Sequence, residues 1–553
     1  VESMPPQRID QQRHHGRHAR EPQGVGQAGR VDCCPSPLRP CRAAEALRQT
    51  GSHRMTGLLD AFRLVLLEPA PLAWTKLRTA LAIVGGAVPG LTGAMLIALT
   101  LPLTFSMEST HALVLLISMY VGSISGGLIT ATLLRMPGTP ASIMTTLDGY
   151  PLARSGQRGR ALGLGVCASF GGGVISWGFL LLLAEPISDV STRLGPFEFF
   201  SLVLMALVLI ASVPSSSTLK GILAGLLGIL LSLPGPSPAT GQFRLTFGLA
   251  ELSDGFKLLP VLIGLFAVNQ VIKDILAMSE PTERIAFSRG GTFMSWADWK
   301  AQWVNLVRSS VIGTWIGILP GIGANIGSIV AYSAARSGSK SPEKFGQGSE
   351  EGIVASEAAN NATVGGALIP LISLGIPGSV IDAILLGALV IHGLQPGPLL
   401  FENHPEVVHV MTATYLVANV FMLIFMLLSA GWLARLSLVP TSVLIPGVLV
   451  FCVVGSYALS NRMFDVWVML ACGLVGFAME RVGLPLAPFV IGFVLGPIAE
   501  ENLSAGLMAS GGSYWPIVAR PVSCLFFAIS VLLFVGPTLL GWQKRLRNSQ
   551  RAE

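Results

Sequence analysis

Four Pro-Gly pairs, Pro89-Gly90, Pro137-Gly138, Pro320-Gly321 and Pro377-Gly378, fall inside stretches apolar enough to cross a bilayer. Small hydrogen-bonding residues follow each pair closely: Thr92, Thr139 with Ser142, Asn325 with Ser328, and Ser379. Gly93 and Gly323 add positions where backbone can approach closely. A helix broken at such a point frees N–H groups at one new end and carbonyls at the other, with about half an elementary charge at each. Those ends hold an anion or a cation without placing an ionised side chain in lipid. One Pro-Gly pair reads as a kink. Four at related positions read as a substrate or ion site, because broken backbone at membrane depth persists only where protein buries it or a watery cavity lines it.

Other polar groups lie near the breaks. Glu357, Asn360 and Asn361 in "EEGIVASEAANNATVGG" precede a crossing, and Asp382 follows Pro377-Gly378. The asparagines can donate to a carboxylate, while Asp382 or Glu357 can take a cation or a proton; a hydrated helix cap is the plainer reading of Glu357. "LDGYP", Asp148 to Pro151, has turn composition and reads as a cytoplasmic turn. His111, His392, His404 and His409 are scattered near segment ends and do not read as ligands. Gly221, Gly225 and Gly228, and Gly473 with Gly476, have the spacing of helix-packing glycines.

The elements that must position these residues are membrane helices. The chain has 553 residues, 51% hydrophobic and 12% charged, with mean hydropathy +0.65, where a soluble domain carries about 25% charged residues. Apolar runs such as that starting at Phe199 and that from Val407 to Trp432 recur, and they predict an all-α polytopic membrane protein of roughly 10–12 transmembrane helices, some broken or re-entrant.

The pattern is duplicated. "GGAVPGLTG" and "GGLITATLLRMPGTP" in the first half match "GILPGIGAN" and "GGALIPLISLGIPGS" in the second, in the same order. Loop charge predicts that the two copies are inverted. The loop after the first break lacks Lys and Arg in half one but carries Arg336, Lys340 and Lys344 in half two; after the second break, Arg154, Arg158 and Arg160 lie in half one and none lies in half two. The connector resists this scheme: a simple count puts it outside, yet it holds Arg284, Arg289, Lys300 and Arg308. Its Trp296, Trp299 and Trp303 have helical spacing.

The chain thus divides into 1–54, an Arg-, Gln- and Pro-rich stretch read as a disordered or non-native extension; 55–278, a first membrane repeat; 279–308, a connector with a candidate interfacial helix; 309–543, a second repeat; and 544–553, a basic tail. The extension has no apolar core of a signal peptide, and Met55 reads as a natural start. Its nine Arg against five acids supply most of the +6 formal charge, so the basic balance implies no nucleic-acid partner. The seven cysteines show no metal-ligand spacing or disulfide framework. There is no GxxxxGK[ST] phosphate loop, HExxH or GxSxG, which disfavours an ATP-driven pump and an enzyme. "TVGG" at Thr363 lacks the full potassium-filter sequence, which leaves a channel behind a gradient-driven carrier.

"VPGLTGAMLIALTLPLTF", "MPGTPASIMTTLDGYPLARSGQRGRALG", "GILPGIGANIGSIVAYSAARSGSKSPEKFGQGSEEG" and "EAANNATVGGALIPLISLGIPGSVIDAILLGALVIHGLQPGPLLF" resemble the large permease subunit, TctA type, of tripartite tricarboxylate transporters. The resemblance runs from about Met55 to the C-terminus. It implies a multi-pass carrier of the bacterial cytoplasmic (inner) membrane that works with a small TctB-type membrane subunit and a periplasmic TctC-type binding protein. Transport would be secondary symport of citrate or another organic carboxylate, with sodium or a proton as coupling ion and no other cofactor. Family members usually read PGLGP-like after the first break and YGGS-like before the next; this chain reads "PGLTG" and "SISGG" with Ser123 and Ser125, which implies a changed cavity lining.

Overall fold

The computed structural model describes residues 56–88, 91–135, 139–212, 218–237, 240–277, 294–320, 323–436 and 441–534. The expected extension at 1–54, the tail at 544–553, Arg284 and Arg289 lie outside the described residues.

Helices account for almost all of the described chain. The first half runs through α1 (56–67), α2 (Pro69–Gly86), α3 (Gly93–Thr100), α4 (Ser109–Leu134), α5 (Ile143–Arg154) and α6 (Arg158–Ser191). It continues with α7 (Pro196–Ser212), α8 (Thr218–Ser232), a two-stranded ribbon pairing Gly235–Pro236 with Phe243–Arg244, and α9 (Leu258–Leu262). A π turn, Ile263–Val268, joins α9 to α10 (Asn269–Ala277).

The second half comprises α11 (Trp296–Ile318), α12 (Gly323–Gly338), α13 (Glu350–Leu374), α14 (Val380–Ile391), the short α15 (Pro398–Asn403) and α16 (Pro405–Leu436). It ends with α17 (Thr441–Ser460), α18 (Met463–Arg481), α19 (Leu486–Ala509), α20 (Pro516–Ala519) and a last helix, α21 (Pro521–Phe534). Among the described residues six helices are long and apolar enough to cross a membrane: α4, α6, the α9–α10 run, α16, α18 and α19.

The order long, half, long, half, long is the same for α2 to α6 as for α11, α12, α13, α14 and α16. The matched members α4 and α13 have 26 and 25 residues, α5 and α14 have 12 each, and α6 and α16 have 34 and 32. The double glycines have the same use in both copies. A Cβ on Gly126 of α4 would lie 2.6 Å from the Ile83 carbonyl of α2, and one on Gly366 of α13 would lie 2.3 Å from the Thr314 carbonyl of α11. Only glycine lets these backbones meet, as expected where association depends on close packing rather than on expelling water. Both α4 and α13 end in a left-handed residue, Arg135 (φ 54°) and Gly375 (φ 69°), which stops the helix and starts the break.

α13 is the centre of the bundle: every residue from Gly352 to Ser373 is buried. It packs on α11 and α12 of its own half and most extensively on α6 of the other, while α4 packs on α2 and on α16.

Side-chain bonds fix the ends. At one, the Thr104–Ser109 turn of the first half meets His392 of the second, with His392 Nε2 and Thr104 Oγ1 3.1 Å apart. At the other, Arg160 on the first turn of α6 bonds Glu350 Oε2 at 2.8 Å and Asp298 Oδ1 at 2.9 Å, on the first turns of α13 and α11. The α3–α4 turn and its counterpart between α12 and α13 therefore lie at opposite ends, as the loop charges predict. This corrects the simple count for the connector. Asp298 is bound to Arg160, and Arg308 lies beside Gly338, so residues 295–308 belong to the basic end, where Lys300 and Arg308 agree with the other loops. Trp296, Trp299 and Trp303 are on a helix that runs without interruption to Ile318.

Candidate functional site

The half-helices start where short polar side chains can replace lost backbone partners. Thr92 caps α3 by accepting from Met95 N at 3.3 Å, and Ser379 caps α14 by accepting from Asp382 N at 3.3 Å. Ser142, just before α5, accepts from Thr139 N at 3.3 Å and donates to Thr139 O at 2.8 Å. α12 starts at Gly323, whose φ of +69° suits glycine.

These starts converge. A cavity of about 420 Å³ is lined by Thr92 and Gly93 at the start of α3, Thr139 ahead of α5, Gly323 and Asn325 at the start of α12, and Ser379 at the start of α14. Residues from all four breaks share one wall-to-wall space, and the half-helices present their N-terminal ends to it. The free N–H groups and positive dipole ends found there favour an anion. Across the two halves, Tyr120 of α4 and Ser379 share a hydrogen bond at 3.3 Å, and both line the cavity.

The other residues singled out from the sequence are placed differently. Pro89, Gly90, Pro137, Gly138 and Gly321 lie outside the described residues. Pro320, Pro377 and Gly378 are buried in packing: a Cβ on Gly378 would come within 2.9 Å of Ala367 Cβ and of the Gly317 carbonyl. Ser328 bonds the Ser356 carbonyl at 3.2 Å. Asn360 and Asn361 sit on α13 inside the bundle rather than in the cavity wall. Asn361 Oδ1 accepts from Ser125 at 2.8 Å, and the Asn360 amide lies beside the Glu357 carboxylate. Ser123 bonds the Tyr120 carbonyl within its own helix at 3.0 Å, and neither Ser123 nor Ser125 is among the residues lining the cavity. Asp382 is fully buried, its carboxylate facing the hydroxyls of Ser379 and Tyr120. An ionised side chain so placed needs a cation or a proton.

Two buried acids tie the halves together. Glu357 of α13 accepts from Thr145 of α5 at 2.5 Å and from Ser169 of α6 at 3.0 Å; it is no hydrated cap. Asp148 is not in a turn either. α5 continues through Asp148–Pro151, and the buried Asp148 carboxylate accepts from Tyr332 at 2.7 Å and from the N–H groups of Gly346, Gly348 and Ser349 at 2.8, 2.9 and 2.8 Å. Those three amides compensate the charge and hold the α12–α13 loop.

One wall of the cavity escapes sequence reading. Leu265 and Phe266 of the π turn and Asn269, Gln270 and Lys273 of α10 line it, with Glu480 from the last turn of α18. Lys273 Nζ is 2.8 Å from Glu480 Oε2. The available signal was the cluster Asn269, Gln270, Lys273 at the end of an apolar run, which a lysine reaching for the membrane surface mimics.

Comparison with known proteins shows the family of the chain. The family model described as "Tripartite tricarboxylate transporter TctA family" matches residues 72–491. An uncharacterized 52.8 kDa protein in the TAR-I ttuC' 3' region of Agrobacterium vitis is 32% identical over 470 residues, which is 85% of this chain and 93% of that protein. A second from the same organism, in the TAR-II ttuC' 3' region, is 32% identical over 223 residues, or 40% of this chain and 92% of its own length. No solved structure matches.

Proposed function

The chain belongs to the tripartite tricarboxylate transporter TctA family, and from that premise we propose that it is the permease subunit that carries citrate or another organic carboxylate across the bacterial inner membrane by alternating access. The convergence of all four breaks on one cavity carries this reading. Helix N-termini with Thr92, Thr139, Asn325 and Ser379 around them suit a carboxylate, whose oxygens accept hydrogen bonds and whose charge is stabilised by the dipoles.

A periplasmic TctC-type protein delivers the substrate, and a TctB-type subunit completes the membrane complex. Asp382, buried beside the cavity with no cationic side chain bound to it, holds the coupling ion, sodium or a proton. The inverted halves supply two related packings, of which one opens the cavity outward and the other inward. The chain works without an enzymatic step.

The test is uptake of labelled citrate, succinate and an aromatic carboxylate into vesicles containing this chain and its small subunit, with and without the binding protein, under an imposed sodium or proton gradient. Gradient-driven uptake that needs the binding protein is expected. A correctly inserted chain that moves no carboxylate, or that passes ions passively, overturns the reading.

A further inference from the structure

Resting on the carboxylate-carrier reading, we propose that Lys273 grips the substrate carboxylate and that Glu480 is its resident competitor, so their ion pair opens whenever cargo binds. Among the described lining residues Lys273 is the one cation and Glu480 the one acid. Neither belongs to the duplicated breaks: Lys273 is on α10 and Glu480 ends α18.

Three observations give this pair a role beyond fastening. First, the π turn Ile263–Val268 directly precedes α10 and supplies Leu265 and Phe266 to the cavity. Such turns change the angular register of the helix that follows and recur at functional sites. Second, Asn269 lines the same wall one turn before Lys273, is 1% exposed, and its side-chain oxygen has no hydrogen-bond partner. It is a polar group built into the wall with bonding capacity left over. Third, the pair itself is partly hydrated, Lys273 39% and Glu480 36% exposed, and ion pairs in that setting are weak. A weak pair can exchange one carboxylate for another. Glu480 neutralises Lys273 in the empty cavity; an arriving substrate carboxylate takes the ammonium, and Glu480 turns to water.

A competitor and a fastener differ in the sign of one mutation. In vesicles with the small subunit and binding protein, Lys273→Gln should raise the KM of the carboxylate that the unaltered protein takes up by about tenfold or more, with Lys273→Arg recovering much of the loss. Glu480→Gln should lower KM, by about two- to fivefold. Thermal unfolding of each variant separates these effects from misfolding. As a reading that needs no transport, a thiol placed beside the intact pair by Gln270→Cys, in a background without native cysteines, should react with a charged thiol reagent, and citrate or succinate should slow that reaction unless Lys273 is also replaced by Gln. Unchanged or raised KM in Glu480→Gln, or thiol labelling indifferent to carboxylate, overturns the proposal while wild-type uptake leaves the carrier reading standing. Absence of uptake by the unaltered protein removes the carrier reading, and this inference with it.

Discussion

Thr145, on a half-helix of the first repeat, donates at 2.5 Å to Glu357, which is fully buried in the central helix of the second. The bond joins the halves at a depth where water cannot replace either partner, so its loss is felt in full. Thr145→Val leaves Glu357 Oε1 without this donor and is expected to destabilise the protein by about 1–3 kcal/mol. Thermal unfolding in detergent measures this; an unchanged midpoint contradicts it.

Asp148 organises a loop from the opposite half. Asp148→Ala leaves the amides of Gly346, Gly348 and Ser349 and the Tyr332 hydroxyl without their acceptor, and a cost of about 3 kcal/mol or more is expected. Limited proteolysis should then cut between residues 339 and 349 before any other site in the membrane body. A loop that resists cleavage in the variant would show that other contacts hold it.

Inversion can be read chemically. In a background without native cysteines, Ser109→Cys and Ser339→Cys should label from opposite sides of the membrane, since Ser109 lies by His392 and Ser339 follows α12 at the basic end. Labelling from one side for both contradicts the architecture.

Asn325 and Thr139 reach the cavity from different halves. Asn325→Ala and Thr139→Ala, made separately, should each reduce the apparent affinity for substrate about three- to tenfold, the size of one lost neutral hydrogen bond. Two variants with unaltered uptake and ion dependence would remove the cavity from the transport path.

The basic end has its own pH signature. Arg160 beside Asp298, with help from Ser295, holds the Asp298 carboxyl down at about 2. A depressed carboxyl contributes its full stability above the ordinary unfolded value of about 4 and loses it as pH falls from there through the folded value. Asp298→Asn should therefore melt below wild type by a constant amount between about pH 5 and 8, with the gap closing below about pH 4. A gap that persists at the acid end assigns the effect to something other than ionisation.

The four breaks were legible because each joins a proline to a glycine within the duplicated pattern, whereas a lone proline, such as Pro151 in α5, Pro370 in α13 or Pro497 in α19, leaves its helix continuous. Loop charge likewise gave the inversion. What local composition concealed was settled by distant partners. "LDGYP" has the make-up of a turn, yet α5 runs through it because amides almost 200 residues away satisfy Asp148. Asn360 and Asn361 stand close to the breaks in sequence, but a helix of 25 residues carries them into the packed centre. Lys273 was hidden for the reverse reason, since nothing in α10 announces that Glu480 and the half-helix ends face it.

Neither half encloses its own long helix. α13 is sealed by α6, and α4 by α16, each supplied by the other copy. A single repeat on its own would leave those surfaces bare, and the shape that covers them is the same repeat turned upside down. One repeat can therefore cover its long helix only beside a second copy in the opposite orientation. Carrying both copies in one chain guarantees that pairing, because each molecule inserts with one repeat in each orientation.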